Sequence, residues 1–285
     1  MRSPNSSTNI PLLTMMTQAW QAMWRCPVAL WGLAGLGALC WQVGEGATKA
    51  LLVHLLGLAY AKGLLAPLFA SASQLHEAAG ALLWMILRNS GILEASTYPM
   101  GHQLLTLLGD GALLVLTAWL ALLTLMGLLS RLMQRGVPWS QAARVATWSV
   151  AASLGGALCL LLPGLVLLVA TLPAVTLVCG GSLDAAQSWR VGLALGWSRL
   201  GGLSILVGLP LSMPMVVAML AEAMTMAWPL GIGVEVISWG AQLVALLWLA
   251  QILVRFVASY EVGPYPDKNE RSVAEVAASS SKKPM

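Results

Sequence analysis

The chain has 285 residues, of which 58% are hydrophobic and only 9% are charged, and its mean hydropathy is +0.79. A soluble globular domain carries about 25% charged residues, so this composition excludes an ordinary soluble protein and indicates an integral membrane protein. The net charge of +4 comes without a basic cluster interleaved with aromatic residues, which argues against nucleic-acid binding.

The N-terminal segment precedes the first apolar run. Residues 1–10 are rich in Ser, Asn and Thr, which is typical of disorder. Helical spacing over residues 11–25 gives one apolar face, made of Leu12, Met16, Ala19, Trp20 and Met23. The pattern predicts an amphipathic helix that lies in the membrane interface, and the alternative is a plain extension of the first span. Residues 1–26 are therefore assigned to a disordered tip and this helix.

Two apolar runs follow, at residues 27–43 and 50–69, and they are predicted as the first two membrane spans. Glu45 and Lys49 separate them and mark the far side of the membrane. His54 and Lys62 fall inside the second run, where an ionisable group is a functional candidate. The structural alternatives are a neutral, hydrogen-bonded His54 and a Lys62 whose ammonium group extends to the interface.

Residues 73–88 have one apolar helical face, so they are predicted as a second surface helix, with a loop at 89–101. The third span is predicted at 111–132. A different topology remains open, in which a crossing lies between Ala72 and Leu93. That crossing would move Arg131, Arg135 and Arg144 to the cytoplasmic side.

No charged residue occurs between Val145 and Leu183, and this run contains Pro163 and Pro173. A single helix over 147–178 would be roughly 48 Å long, well above the hydrocarbon thickness of about 30 Å. Each proline removes a backbone donor and bends a helix, so one long kinked span is predicted. Both prolines are functional candidates because each frees a carbonyl at membrane depth.

A short polar loop follows this span. Gly180 and Gly181 end the helix, Ser182 is predicted as the N-cap of the next one, and Asp184 is expected in its first turn. Asp184, Ser188 and Arg190 are the candidate functional residues of the amphipathic segment that begins there.

The last two spans are predicted at residues 200–220 and 236–256, with a short hairpin between them, and residues 259–285 form a disordered tail. The fold class is an all-α polytopic membrane helix bundle, residues 27–258, with about six transmembrane helices plus one or two interfacial amphipathic helices. The distribution of Lys and Arg places both termini in the cytoplasm. In this topology the 131–144 loop and the loop around Ser182 face opposite sides.

Two stretches of the chain share a pattern of proline, tryptophan and small residues. The first stretch begins with Leu-Pro-Ala-Val at 172–175 and Gly-Ser-Leu-Asp-Ala-Ala at 181–186, and it continues with Ser188, Trp197 and an apolar run to Pro210. The second stretch is the segment 20–27. This pattern resembles the YciC-like bacterial inner-membrane proteins, which are related to the membrane domain of some glycerophosphoryl diester phosphodiesterases. The resemblance covers nearly the whole chain and implies about six helices, but no phosphodiesterase activity, because the catalytic domain has no counterpart here. The family's Arg-Ser order is replaced by Ser188-Trp189-Arg190.

Catalytic and metal-binding motifs are missing from the sequence. His76 and Glu77 are adjacent and point to different sides of a helix, and His102 and Asp110 are a single pair spaced eight residues apart. The four cysteines form no Cys-x-x-Cys motif. No catalytic residue, metal site or cofactor is therefore predicted.

The sequence favours a non-enzymatic multi-pass protein of the bacterial inner membrane, with a role in envelope or lipid homeostasis or in scaffolding membrane partners. Its expected partners are membrane lipids, together with another membrane protein or a second copy of the chain. The alternative is a small transporter or channel that uses the proline-broken fourth and fifth helices. A lipid-modifying enzyme would need an interfacial cluster drawn from His102, Asp110 and Asp184.

Overall fold

The computed structural model describes residues 12–67, 81, 85, 88–136, 139–159, 161–181, 183–225 and 233–259. These residues form helices and turns, and they include no strand. The helices are α1 (Leu12–Met23), α2 (Val28–Ala61), α3 (Ile92–Ser96), α4 (Met100–Leu132), α5 (Trp139–Cys159), α6 (Leu161–Cys179), α7 (Ala185–Ser198), α8 (Leu200–Thr225) and α9 (Gly233–Ala258).

Within the described residues, three helices are long and apolar enough to cross a membrane, namely Met100–Leu132, Leu200–Ala221 and Glu235–Ala258. A fourth span is added if α1 and α2, which meet at a bend of 110°, are taken together. The described part of the chain is therefore all-helical, and three of its helices are consistent with a membrane protein. The spans predicted at 111–132, 200–220 and 236–256 lie within α4, α8 and α9.

The helices form two compact units, residues 39–121 and the remainder of the chain. The prediction of two separate spans at 27–43 and 50–69 is wrong, because α2 continues through residues 44–49 without a break. Glu45 and Lys49, expected at a loop, instead form an ion pair of 2.8 Å one turn apart on the exposed side of the helix. The segment contains no proline, and an i,i+4 pair of opposite charge stabilises a helix.

Helices α2 and α4 run antiparallel in the unit of residues 39–121. Gly44 lies against Thr117, and the Lys62 ammonium group lies 3.9 Å from the Met100 sulfur. The segment predicted as a loop at 89–101 contains α3 and the start of α4, which begins eleven residues before the predicted span, at Met100 rather than at 111. Most of the surface helix predicted at 73–88 lies outside the described residues.

In the larger unit, α1 packs on α9. Met16, Ala19 and Met23 are buried, and the Trp248 indole N–H donates a hydrogen bond of 3.2 Å to the Met16 carbonyl. The amphipathic helix predicted at 11–25 is therefore present as α1. Three residues of its predicted apolar face contact protein, whereas Leu12, at the start of the same face, is 39% exposed.

The single kinked span predicted over residues 147–178 is replaced by two helices, α5 and α6, which fold back on each other. Gly156 and Gly164 lie face to face near the bend, so closely that a Cβ on Gly156 would be 3.0 Å from the Gly164 backbone. Pro163 sits in the first turn of α6, where no intrahelical partner is needed for its nitrogen. It therefore helps to begin a helix instead of kinking one.

Helix α7 packs on α6 through small residues. A Cβ on Gly192 would collide with the backbone of Ala174, and one on Gly196 would collide with the backbone of Ala170. The contact moves from Ala174 to Ala170 as α7 advances from Gly192 to Gly196, so α7 is antiparallel to α6 there. Residues 170–179 of α6 are all buried, which makes this half of α6 the centre of the α5–α6–α7 cluster.

Candidate functional site

Two chain reversals meet at one end of the α5–α6–α7 cluster. The Arg135 guanidinium donates a hydrogen bond to the Gly180 carbonyl, and the position of a Cβ on Gly181 is 3.9 Å from the Gly136 carbonyl oxygen. The α4–α5 turn and the α6–α7 turn are therefore neighbours. This corrects the prediction that the 131–144 loop and the loop around Ser182 face opposite sides.

The same end of the larger unit includes the start of α2 and the end of α9. Gly37 lies against Thr124 of α4 and Leu246 of α9, and the Gln251 side chain donates a hydrogen bond of 3.3 Å to the Cys26 sulfur. Six arginines lie near this end, in turns or within two helical turns of a helix terminus: Arg25, Arg131, Arg135, Arg144, Arg190 and Arg255. We call it the arginine-rich end.

Asp184, predicted within the first turn of α7, is instead its N-cap. Its backbone is extended, with φ −70° and ψ 170°, and its carboxylate accepts a hydrogen bond of 2.7 Å from the Gln187 N–H. A carboxylate at this position satisfies a helix N–H and interacts favourably with the helix dipole. Asp184 is thus explained by its structural role. Ser182, the predicted N-cap, lies outside the described residues.

Ser188 is fully buried on the α7 face that contacts α6, and its hydroxyl has no hydrogen-bond partner among the described residues. It belongs to a row of small buried residues completed by Ala185, Gly192 and Gly196. A buried hydroxyl without a partner is unfavourable by roughly 1–3 kcal/mol. Its place in this row shows that the close approach of α6 and α7 needs a small side chain.

Arg190, two residues after Ser188, is exposed and lines a cleft between α5 and α7. The cleft has a volume of about 340 Å³ and is lined by Trp148, Ala151, Ala186, Trp189 and Arg190. The Trp148 and Trp189 rings meet edge to face, with centroids 5.8 Å apart and an interplanar angle of 66°. The contact between these tryptophans could not be predicted from the sequence, because nothing in it shows that α5 and α7 are neighbours.

The unit of residues 39–121 contains the second candidate, a polar pair between α2 and α4. The His54 Nδ1 atom lies 2.9 Å from the Asp110 carboxylate, and these side chains are only 20% and 23% exposed. His54 therefore has the hydrogen bond that its structural alternative required. The sequence offered His102 as the partner of Asp110, but His102 packs against Tyr98, with ring centroids 5.1 Å apart.

The remaining candidates are placed apart from these two sites. Lys62 is exposed in the turn after α2, and Pro163 and Pro173 lie in α6, where Pro173 is buried and interior. The described residues contain no group of three or more His, Cys, Asp or Glu that could hold a metal ion.

Comparison of the chain with protein-family models, curated proteins and solved structures finds no match. The fold therefore defines only a class: the described residues form helices, and three of these helices are long and apolar enough to cross a membrane.

Proposed function

We propose that the chain is a non-enzymatic multi-pass protein of the bacterial cytoplasmic membrane that associates with anionic lipids of the inner leaflet, as part of lipid or envelope homeostasis. The observation that carries this proposal is the arginine-rich end of the larger unit, which collects guanidinium groups from five helices or their turns beside apolar helices. The cytoplasmic leaflet is anionic, and each basic residue near it contributes about 1 kcal/mol to membrane association.

The proposed topology follows from the same end. Basic residues are retained in the cytoplasm, so the arginine-rich end is assigned to that side. The α5–α6 hairpin begins and ends on the same side of the membrane. It adds two crossings if its arms span the bilayer and none if they turn back within it, so the chain returns to the same side in either case. Helices α2 and α4 form one antiparallel pair and α8 and α9 follow as another, which keeps both termini cytoplasmic. The six-span bundle is retained in this form, with α5 and α6 counted as separate arms.

The lipid role is tested by extracting the protein with surrounding membrane into detergent-free polymer discs. We expect these discs to be enriched in anionic lipid relative to protein-free discs from the same membrane. The double variant Arg131→Gln/Arg135→Gln should reduce this enrichment, because it removes two charges from the arginine-rich end. Equal lipid composition in both kinds of disc, with a stoichiometric protein partner instead, would favour the scaffolding role.

A transporter or channel is the second candidate, and the His54–Asp110 pair favours it. Ionisable pairs inside membrane segments often mark proton or ion pathways. The earlier support from a broken fourth span is weaker, because Pro163 begins a helix. Liposomes loaded with a pH-sensitive dye test this candidate. Transport is supported if protons enter and this entry is lost in Asp110→Asn. The control is Glu45→Gln, which alters an exposed carboxylate in the same unit and should keep proton entry. If protons enter in no sample, proton conduction is excluded.

A further inference from the structure

The α5–α7 cleft combines an apolar wall with hydrogen-bond donors that no described residue uses. Arg190 makes no hydrogen bond or ion pair with another described residue, and the indole N–H groups of Trp148 and Trp189 donate none. Ala151 and Ala186 complete the wall and bring no charge. One guanidinium group and two indole N–H groups therefore remain available where the two tryptophans and two alanines form an apolar surface.

A second cation stands beside the cleft. Arg144 precedes Trp148 by one helical turn on α5, so these two residues and Ala151 share a helix face. Arg144 is exposed and also makes no hydrogen bond or ion pair with the described part of the chain. The carboxylate nearest in sequence to Arg190, Asp184, is engaged as a helix cap. The local charge at the cleft is thus positive.

We propose that this cleft binds the headgroup of an anionic glycerophospholipid, an inference that rests on the lipid role proposed above. Arg190 donates to the phosphodiester oxygens, because guanidinium and phosphate form strong, often bidentate, charge-assisted hydrogen bonds. The indole N–H groups donate to ester or glycerol oxygens, while the ring faces and alanines contact the glycerol and the upper acyl chain. A volume of about 340 Å³ holds a headgroup but not a whole lipid, so the acyl chains extend into the bilayer.

Native mass spectrometry of the full chain, released from neutral detergent, tests this site. The probes are phosphatidylglycerol, phosphatidylcholine and inorganic phosphate. We expect one tightly bound phosphatidylglycerol and weaker phosphatidylcholine binding. Arg190→Gln should weaken phosphatidylglycerol binding about tenfold, as loss of a charged hydrogen bond does, and bring it close to phosphatidylcholine. Arg190→Lys should restore part of the difference because it keeps the charge.

Matched controls separate the site from general charge and from folding. Arg88→Gln removes the same charge from an exposed arginine outside both the cleft and the arginine-rich end, and should change phosphatidylglycerol binding less than about twofold. Trp148→Leu should weaken both lipids, whereas Trp197→Leu, which replaces an exposed tryptophan of α7 outside the cleft, should weaken neither. A variant is compared only if its melting temperature without lipid equals that of the parent protein. Arg190→Ala provides a second change if the glutamine variant fails to match.

Three results would overturn the assignment. Unchanged phosphatidylglycerol binding in Arg190→Gln, or equal losses in Arg190→Gln and Arg88→Gln, would show that the cleft is not the site. Displacement of phosphatidylglycerol by millimolar inorganic phosphate would show that free phosphate is the ligand. If these results occur while the polymer discs remain enriched in anionic lipid, the cleft assignment fails and the lipid role stands. If anionic lipid is preferred neither in native mass spectrometry nor in the polymer discs, both the cleft assignment and the lipid role are wrong.

Discussion

The hydroxyl of Ser188 is buried without a partner in the part of the chain that the structure describes, so removing it should be favourable. We expect Ser188→Ala to raise the free energy of unfolding by about 1 kcal/mol, because alanine fills the same space without burying an unsatisfied polar group. The change is measured by unfolding in mixed micelles. Ser130 is a matched control, because its buried hydroxyl donates a hydrogen bond of 2.9 Å to the Gly127 carbonyl. Ser130→Ala should lower the stability by about 0.5–1.5 kcal/mol. A destabilised Ser188→Ala would mean that this hydroxyl has a partner in solution.

The His54–Asp110 pair makes a second prediction at the residue scale. A double-mutant cycle with His54→Gln and Asp110→Asn should give a coupling free energy of about 1 kcal/mol, because both side chains are largely shielded from water. The Glu45–Lys49 pair provides the control, since its side chains are 46% and 74% exposed. Its cycle should give about 0.3 kcal/mol. Similar values for the two pairs would indicate that the burial of His54 and Asp110 has no energetic consequence.

The sequence identified His54 and Asp110 as unusual groups but could not pair them. They are 56 positions apart, and their contact depends on the register of two antiparallel helices. Local spacing paired Asp110 with His102, which lies on the same helix. Arg190 was likewise a candidate from its position in an amphipathic segment, whereas its neighbour Trp148 lies on another helix. Single-sequence patterns report on one helix at a time, and both sites are formed between helices.

At the scale of the elements, α8 and α9 were predicted almost to their ends because each is a long apolar run with flanking polar residues. The α5–α6 hairpin was not predicted, because its bend near residue 160 carries neither a charge nor a polar loop. The signals were present as Gly156 before the bend and Pro163-Gly164 after it. The kink was predicted from the prolines, and a proline is ambiguous because it both interrupts helices and begins them. The continuity of α2 was missed for the opposite reason, since Glu45 and Lys49 suggested a loop.

The contact between α6 and α7 gives the element-scale prediction. Gly192→Ala should lower the stability by about 1–3 kcal/mol, because the new methyl group would overlap the backbone of Ala174 and force the helices apart. Gly201→Ala is the control, since no atom lies within 4 Å of its added Cβ and alanine favours a helix. It should leave the stability unchanged or raise it by up to about 1 kcal/mol. Equal effects of the two changes would argue against the close packing of α6 on α7.

For the whole molecule, the adjacency of the α4–α5 and α6–α7 turns fixes a testable sidedness. Ser140→Cys and Gln187→Cys, both at exposed positions close to these turns, should react with a membrane-impermeant thiol reagent from the same side. The assay is performed in a cysteine-free background on sealed vesicles of both orientations. Labelling of the two positions from opposite sides would contradict the hairpin and restore the single long span.

The docking of α1 on α9 has a consequence for biosynthesis. The hydrogen bond between Trp248 and Met16 joins residues separated by 232 positions, and Trp20 packs edge to face on the same indole, with ring centroids 5.2 Å apart. Helix α1 is synthesised before α9, so its buried methionines are covered only after α9 has been made. During translation its apolar face needs a temporary partner, either the lipid surface or a chaperone. Ribosome-bound chains stopped before α9 should consequently have a protease-sensitive α1, which becomes protected only once α9 has been released and inserted.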